Sequence, residues 1–432
     1  MASIENRNGN YKITVYVGKD ANGKQIFKKT TFHPTEKTPK KIEDEVRKFA
    51  DAFEEKVRNG EYFDGNNLTL NEFVKVWDDK WARKNLTLSV REGYLKILEN
   101  RVLKKIGHIK LSKIQTESIE SIYDEMEEKG LAPATIRRTN VAINSVMSFA
   151  YRRKYIKENP CDRLELPKLK KKTTEDIHYF TPSQAKVFLE ELKKEQTYTY
   201  SASERMIKST GTEYHVNGYQ AHKTVQFQFQ VFFTLAIYSG ARRGELIALT
   251  WKDIDFENRT ISINKAFAHT QAQGQLLKET KTTAGNRVLD LPSKCFEMLS
   301  TWKDEEKKLS MILGSKWEGY RGDNFDENFV FIQVDNGKAM YLDTVTSKFK
   351  KVIKQYNDNC TDEKDKLPDI HLHDLRHTCA SILIANNTPI TKVSEHLGHS
   401  RTSVTLDIYS HWIKKNDRIV SDALEKAFRD IV

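Results

Sequence analysis

The feature that most constrains this chain is a hydrophobic period that changes twice along it, at two polar connectors. Apolar residues at Tyr11, Ile13, Val15 and Val17 alternate with polar ones, the period of a half-buried strand. Asn22 and Gly23 follow, a strong hairpin signal, and Gln25–Phe32 reads as the returning strand. Thr38 and Pro39 then open a helix, because proline suits the first helical position. Its apolar stripe is Ile42, Val46, Phe49, Phe53 and Val57, and Gly60 ends it. After a linker at 61–67, residues 68–165 read as helix throughout. Thr69 and Glu72 form a capping box ahead of Phe73, Val76, Trp77 and Trp81. Further helical patterns cover 88–105, 116–129 and 133–155, punctuated by Gly107, Gly130 and Pro133. The segment Leu166–Thr174 is a basic connector.

Beyond it the period is mixed. Thr181 and Pro182 cap a helix that runs to about Lys194. Residues 195–224 are polar, lack a clear period, and read as an insertion or mobile loop. A buried helix is expected from Phe227 to Tyr238. Strands are expected at Arg259–Asn264, Gln275–Lys278 and Arg287–Leu291, and helices at 292–310, 343–357 and after His373. The chain is thus read as multidomain α+β. A small sheet-plus-helix domain spans 1–60, an all-α domain 68–165, and a mixed, mainly α domain with a small antiparallel sheet 178–432. At 432 residues, two or three domains are expected.

Composition excludes several classes. Hydrophobic residues make up 38% and charged residues 30%, a globular balance rather than a fibrous or disordered one. The apolar run around Val231–Ile237 falls far short of the roughly 18–20 residues of a membrane span. The first residues lack the apolar core of a signal peptide. Cys161, Cys295, Cys360 and Cys379 are far apart, so neither a disulfide framework nor a structural zinc site is expected, and a cytoplasmic setting is. The net charge is +11, and residues 68–177 hold 23 basic against 16 acidic residues. That excess fits either a lysine-rich solvated surface or a polyanion partner.

Five patches in the last domain carry chemistry: Gly240–Glu245, Thr280–Arg287, His373–Thr378, Leu397–His399 and Asp407–Ser410. Each has an ordinary explanation alone. Arg242 could be a surface charge, Lys281 a solvated hairpin residue, His399 a helix terminator and Tyr409 half-buried core. Together, two arginines, a lysine, two histidines and a tyrosine suit a phosphodiester. Arg242 and Arg376 can each donate bidentate, charge-assisted hydrogen bonds to non-bridging oxygens. A tyrosine with an ordinary pKa near 10 needs a base before it can attack, and histidine titrates in the useful range. Lysine can protonate a leaving oxygen. His371 and His377 flank the His373 box, but no carboxylate or cysteine completes a metal ligand set with them.

In this order, these residues resemble the motifs of the tyrosine recombinases, the phage integrase family. The Gly240–Glu245 run is similar to the family's first-arginine motif, with Arg242 the matching residue, and Lys281 falls in its β-hairpin lysine motif. His373 to Thr378 resembles the second-arginine box, Leu397–His399 the third box, and Tyr409 follows ten residues later. The resemblance implies a site-specific recombinase, the integrase of a phage or of an integrative or conjugative element. Tyr409 would attack the scissile phosphate to give a 3′-phosphotyrosine, while Arg242, Arg376 and His399 hold its oxygens. Lys281 would protonate the 5′ oxygen, and His373 would assist proton transfer at the tyrosine. No metal, ATP or other cofactor is implied. The helical middle would be the core-binding domain that clamps the duplex opposite the catalytic domain, and the N-terminal module an arm-site DNA-binding domain. The partners implied are double-stranded DNA at core and arm sites, three further copies in a homotetramer, a directionality factor and a host DNA-bending protein. The chain would be cytoplasmic and nucleoid-associated when on DNA.

Two relatives of that chemistry fit less well. A type IB-like topoisomerase needs no second DNA site, and chromosome-dimer-resolving recombinases usually lack an arm module. A non-catalytic DNA-binding regulator would have no use for the full set of six side chains. The amphipathic pattern Ile419, Ala423, Leu424 and Phe428 fits a helix packed on its own domain or one docked on a neighbouring subunit.

Overall fold

A computed structural model describes residues 2–19, 23–58, 68–169, 178–200, 203–206, 213–217, 219–279 and 285–413. They form two compact units, 1–170 and 171–432. The linker at 61–67, most of the basic connector's lysine run, Lys281 and the amphipathic pattern after Ile413 lie outside the described residues.

The first unit opens with three antiparallel strands, β1 (Ser3–Arg7), β2 (Asn10–Lys19) and β3 (Gln25–Phe32), with β2 central. The sequence reading finds the last two and misses β1, which is exposed on both faces and has Ile4 as its single apolar residue, so it carries no alternation. Ile13 and Val15 are buried against α1 (Pro39–Arg58), where Ala50 and Phe53 meet them. Val17 departs from the expected alternation and is exposed, because a register shift between Tyr16 and Gly18 turns the strand there.

The helical part has its own apolar core. Its helices are α2 (Leu70–Trp77), α3 (Leu88–Ile97), α4 (Thr116–Glu128) and α5 (Pro133–Arg152). The capping box forms as expected: Thr69 accepts from the Glu72 backbone, and Glu72 accepts from the Thr69 backbone at 2.8 Å. After α2 the chain passes through a π turn at Asp78–Ala82, where Arg83 and Arg91 close on the Asp78 carboxylate. A second π turn, Leu98–Leu103, follows α3. Single π turns of this kind often mark functional sites.

The second unit begins with α6 (Pro182–Glu191), capped by Thr181 and Gln184. Residues 195–224 correct the expectation of a loop. β4 (Glu195–Tyr200) pairs with β7 (Tyr219–Thr224), and β5 (Ser203–Met206) with β6 (Glu213–Val216), both antiparallel. Thr and Tyr at 197–200 favour a strand, but the mostly polar sequence from 195 to 224 gives no clear apolar period to read. Next comes α7 (Phe227–Ser239), buried nearly all round among Phe180, Phe188, Phe331 and Phe349. The short α8 (Arg243–Ile247) follows. Two small sheets come next. One orders β12 (Arg287–Asp290), β9 (Thr260–Ile263) and β8 (Ile254–Asp255); the other pairs β10 (Lys265–Thr270) with β11 (Gly274–Glu279). The strand expected at Arg259–Asn264 therefore stops at Ile263, and β10 starts just beyond Asn264, whose amide donates to Asp253. The helices α9 (Ser293–Leu313), α10 (Leu342–Asn359), α11 (Leu375–Ala385), α12 (Ile390–Leu397) and α13 (Thr402–Ile413) complete the unit. No helix among the described residues is long and apolar enough to cross a membrane.

Candidate active site

Two helix ends deliver the first residues. α7 stops at Gly240, whose φ of +57° is left-handed, and a Cβ there would collide with Leu397 and Cys379. The chain then turns through Ala241 to Arg242, just ahead of α8. α12 stops at Gly398 in the same conformation, φ +70°, and the next residue is His399. The glycines of both motifs thus answer a backbone requirement, which frees the residues after them to face the site.

A buried carboxylate organises the arginines. Glu245 accepts from the Arg242 backbone at 2.9 Å, from Arg242 Nη1 at 2.8 Å and from Arg287 Nη2 at 2.9 Å. Burial alone would raise its pKa, but Arg287 and Arg242 outweigh it and hold the carboxyl below the ordinary range. Arg287 also donates from Nε to the His396 carbonyl at 3.1 Å. The sequence reading placed Arg287 at the end of the hairpin motif without giving it a role. Its side chain is only 7% exposed, whereas Arg242 is 46% exposed and open to a ligand.

Arg376 sits on the first turn of α11 and is buried. Nη1 donates to the Gly240 carbonyl at 2.9 Å, while Nη2 is buried without a hydrogen-bond partner among the described residues. Burial first, then Arg242 and Arg287, lower its pKa to about 10. Arg242 and Arg287 on the Glu245 carboxylate, with Arg376 beside them on the Gly240 carbonyl, leave a net positive site, and an unpaired buried donor in it is what an anionic oxygen would satisfy. A cavity of about 400 Å³ opens beside Arg242 and His373, lined also by Arg243, Lys350 and His371.

The histidines divide around this cluster. His399 Nδ1 lies 2.8 Å from the Thr405 hydroxyl. Burial, then Arg376 and Arg242, lower its pKa to about 4, so the ring is neutral near pH 7. His373 is lowered too, by burial and then Arg376. Tyr409 on α13 is 1% exposed, and burial raises its phenol above the ordinary value. Arg376 is the neighbour on α11 of the residue that touches this hydroxyl. The ring nitrogen hydrogen-bonded to the Tyr409 hydroxyl is His377 Nδ1, at 2.6 Å. His373, the histidine expected to serve the tyrosine, stands edge-on to His377 with ring centroids 6.1 Å apart. Thus Arg242, His373, Arg376, His399 and Tyr409 converge. The sequence offered one signal for His377, its place beside Arg376 in the box.

Known proteins of one family match most of the chain. The model of the phage integrase family matches residues 215–416, and that of the phage integrase central domain matches 71–166. A tyrosine recombinase XerC-like protein of Caldanaerobacter subterraneus subsp. tengcongensis is 24% identical, over 98% of each chain. The ICEBs1 integrase of Bacillus subtilis is 25% identical, over 73% of this chain and 72% of its own. In fold, the chain is similar to the Tn1549 transposon integrase solved with transposon right-end DNA. The TM-score is 0.61 at 21% identity, over 83% of this chain and 99% of that one. The two family models lie on the helical core and on the unit that holds the arginine–histidine–tyrosine cluster, so the chain belongs to the phage integrase family of tyrosine recombinases and is a site-specific recombinase.

Proposed function

We propose that this recombinase is the integrase of a mobile element, and that it cuts and rejoins DNA through Tyr409. The phenolic oxygen attacks the scissile phosphorus, giving a 3′-phosphotyrosine and a 5′ hydroxyl. Arg242 and Arg376 neutralise the non-bridging oxygens as charge builds on them. His399, with Nδ1 held by Thr405, offers Nε2 to the same phosphate. Lys281 protonates the departing 5′ oxygen, and His373 completes the group of six. The phosphotyrosyl bond keeps the energy of the diester, so rejoining consumes no ATP. The guanidiniums supply the charge neutralisation that a metal ion gives other phosphoryl-transfer enzymes.

The carrying observation is Arg376 Nη2, a buried donor without a partner among the described residues, one residue from the His377 that holds the Tyr409 hydroxyl. The three proposed domains divide the work. The helical domain at 68–165 and the catalytic domain at 178–432 hold the core site. The module at 1–60 binds arm sites. Its outward sheet face carries Lys12 and Tyr16 on β2 opposite Thr31 and Phe27 on β3, a basic and aromatic surface suited to DNA. Exchange of two strand pairs calls for four copies on DNA. A directionality factor and a host DNA-bending protein are the further partners of this reading.

The test is a covalent-trapping assay. The full chain is incubated in EDTA with nicked duplexes tiled across the DNA that flanks its gene. A covalent protein–DNA band should form without metal and vanish in Tyr409→Phe. A band that survives that substitution moves the nucleophile elsewhere, and one that needs Mg²⁺ points to another chemistry.

A further inference from the structure

His377 is not among the six side chains assigned above, yet it makes the hydrogen bond to the nucleophile. Its Nδ1 lies 2.6 Å from the Tyr409 hydroxyl, and the two rings meet at 66° with centroids 5.7 Å apart. The phenol is nearly sealed from solvent, and its burial favours the protonated form. Bulk water is therefore poorly placed to take the proton, and a base must already be in contact. The carboxylate just ahead of α11 is engaged, since Asp374 accepts from the His371 backbone at 2.7 Å.

The placement of His377 on α11 adds a second argument. Arg376 and His377 are consecutive, so their side chains leave the helix about 100° apart. One is fixed by the Gly240 carbonyl, the other by the Tyr409 hydroxyl. A phosphate bound to Arg376 and an oxygen held by His377 are thus positioned from a single rigid turn. Small errors in such an alignment are costly for displacement at phosphorus.

We propose that His377 accepts the phenolic proton of Tyr409 during attack. This rests on the reading of Tyr409 as nucleophile. The Oη–P bond forms as the P–O5′ bond breaks. The phenolic proton passes to His377 Nδ1, and the leaving 5′ oxygen takes a proton from the general acid assigned to Lys281. On rejoining, the P–O5′ bond forms as the P–Oη bond breaks, the attacking 5′ hydroxyl returns its proton to the Lys281 amine, and the imidazolium returns its proton to the tyrosine oxygen. The charged and titratable groups around this imidazole are Arg376, Asp374 and His373 from its own stretch of chain, Tyr409 from α13, and His399 from beyond α12.

The experiment measures single-turnover adduct formation by the full chain against pH, on the nicked duplex that traps the wild type. His377→Ala should slow the step about 100- to 10,000-fold and flatten its acid limb, and added imidazole should restore part of the rate. His377→Gln keeps a hydrogen-bonding side chain that cannot carry the proton. It should show the same loss with duplex affinity unchanged, and it decides the matter if the alanine variant fails to fold. His373→Ala should be slower than wild type but keep the acid limb. A wild-type rate or pH profile in His377→Gln would overturn the proposal. An adduct that persists in Tyr409→Phe would instead remove the nucleophile reading on which it rests.

Discussion

Charge placement at single residues sets the chemistry. Arg287 is a positioning residue that sequence spacing leaves unassigned. It braces Glu245, and Glu245 aligns Arg242. Arg287→Met would leave the buried carboxylate with one guanidinium in place of two. The cost should be about 3 kcal/mol in chemical denaturation, with slower adduct formation on the trapping duplex. A full adduct rate in that variant would deny Arg287 its part. Glu306 is a separate case. Trp251 Nε1 donates to one of its oxygens at 3.0 Å, and the other is buried without a partner among the described residues. Burial raises its pKa to about 8. The folded state thus binds this proton more tightly than the unfolded chain. The stability it lends is complete below the ordinary carboxyl pKa and is lost as pH rises through about 8. Melting temperatures should therefore fall between about pH 5 and pH 9 in the wild type and less so in Glu306→Gln. Parallel curves for the two proteins would contradict this assignment.

At the scale of elements, helix ends do the positioning. Gly240 both ends α7 and lends its carbonyl to Arg376. Gly240→Ala places a side chain in a left-handed residue and against Leu397. It should destabilise the fold by about 2–4 kcal/mol and reduce adduct formation even where the protein remains folded. An unchanged melting temperature would refute this account of the turn. Helix starts and lengths were legible because capping boxes and apolar stripes are local. Thr69 with Glu72 and Thr181 with Gln184 show this. β1 and the strands of 195–224 were not legible. Their pairing is specified by partner strands rather than by any apolar alternation of their own.

For the whole molecule, the proposed DNA partner makes predictions of its own. Duplex affinity should fall steeply as salt rises, because Lys and Arg displace counterions from phosphates. Equal affinity at low and physiological salt would argue against a phosphate-tracking surface. Deleting residues 1–60 should spare cleavage of isolated core sites and impair recombination that depends on distant arm sites. That module has an apolar core of its own, centred on Ile13, Val15, Ala50 and Phe53, so the rest should fold without it. Equal recombination by both forms would end the arm-site assignment.

The sequence by itself determined the periods, the caps and the motif residues Arg242, His373, Arg376, His399 and Tyr409, since these depend on residue type and short spacing. Tertiary structure alone decided which groups touch. It buried Arg376 with one unpaired nitrogen, braced Glu245 with Arg287, and set His377 rather than His373 on the Tyr409 hydroxyl. The physical reason is the range of the interactions. A helix or a turn is fixed by neighbours a few residues away, whereas these contacts join groups 32 to 42 positions apart, which only the packing of α8, α11, α13 and β12 brings together.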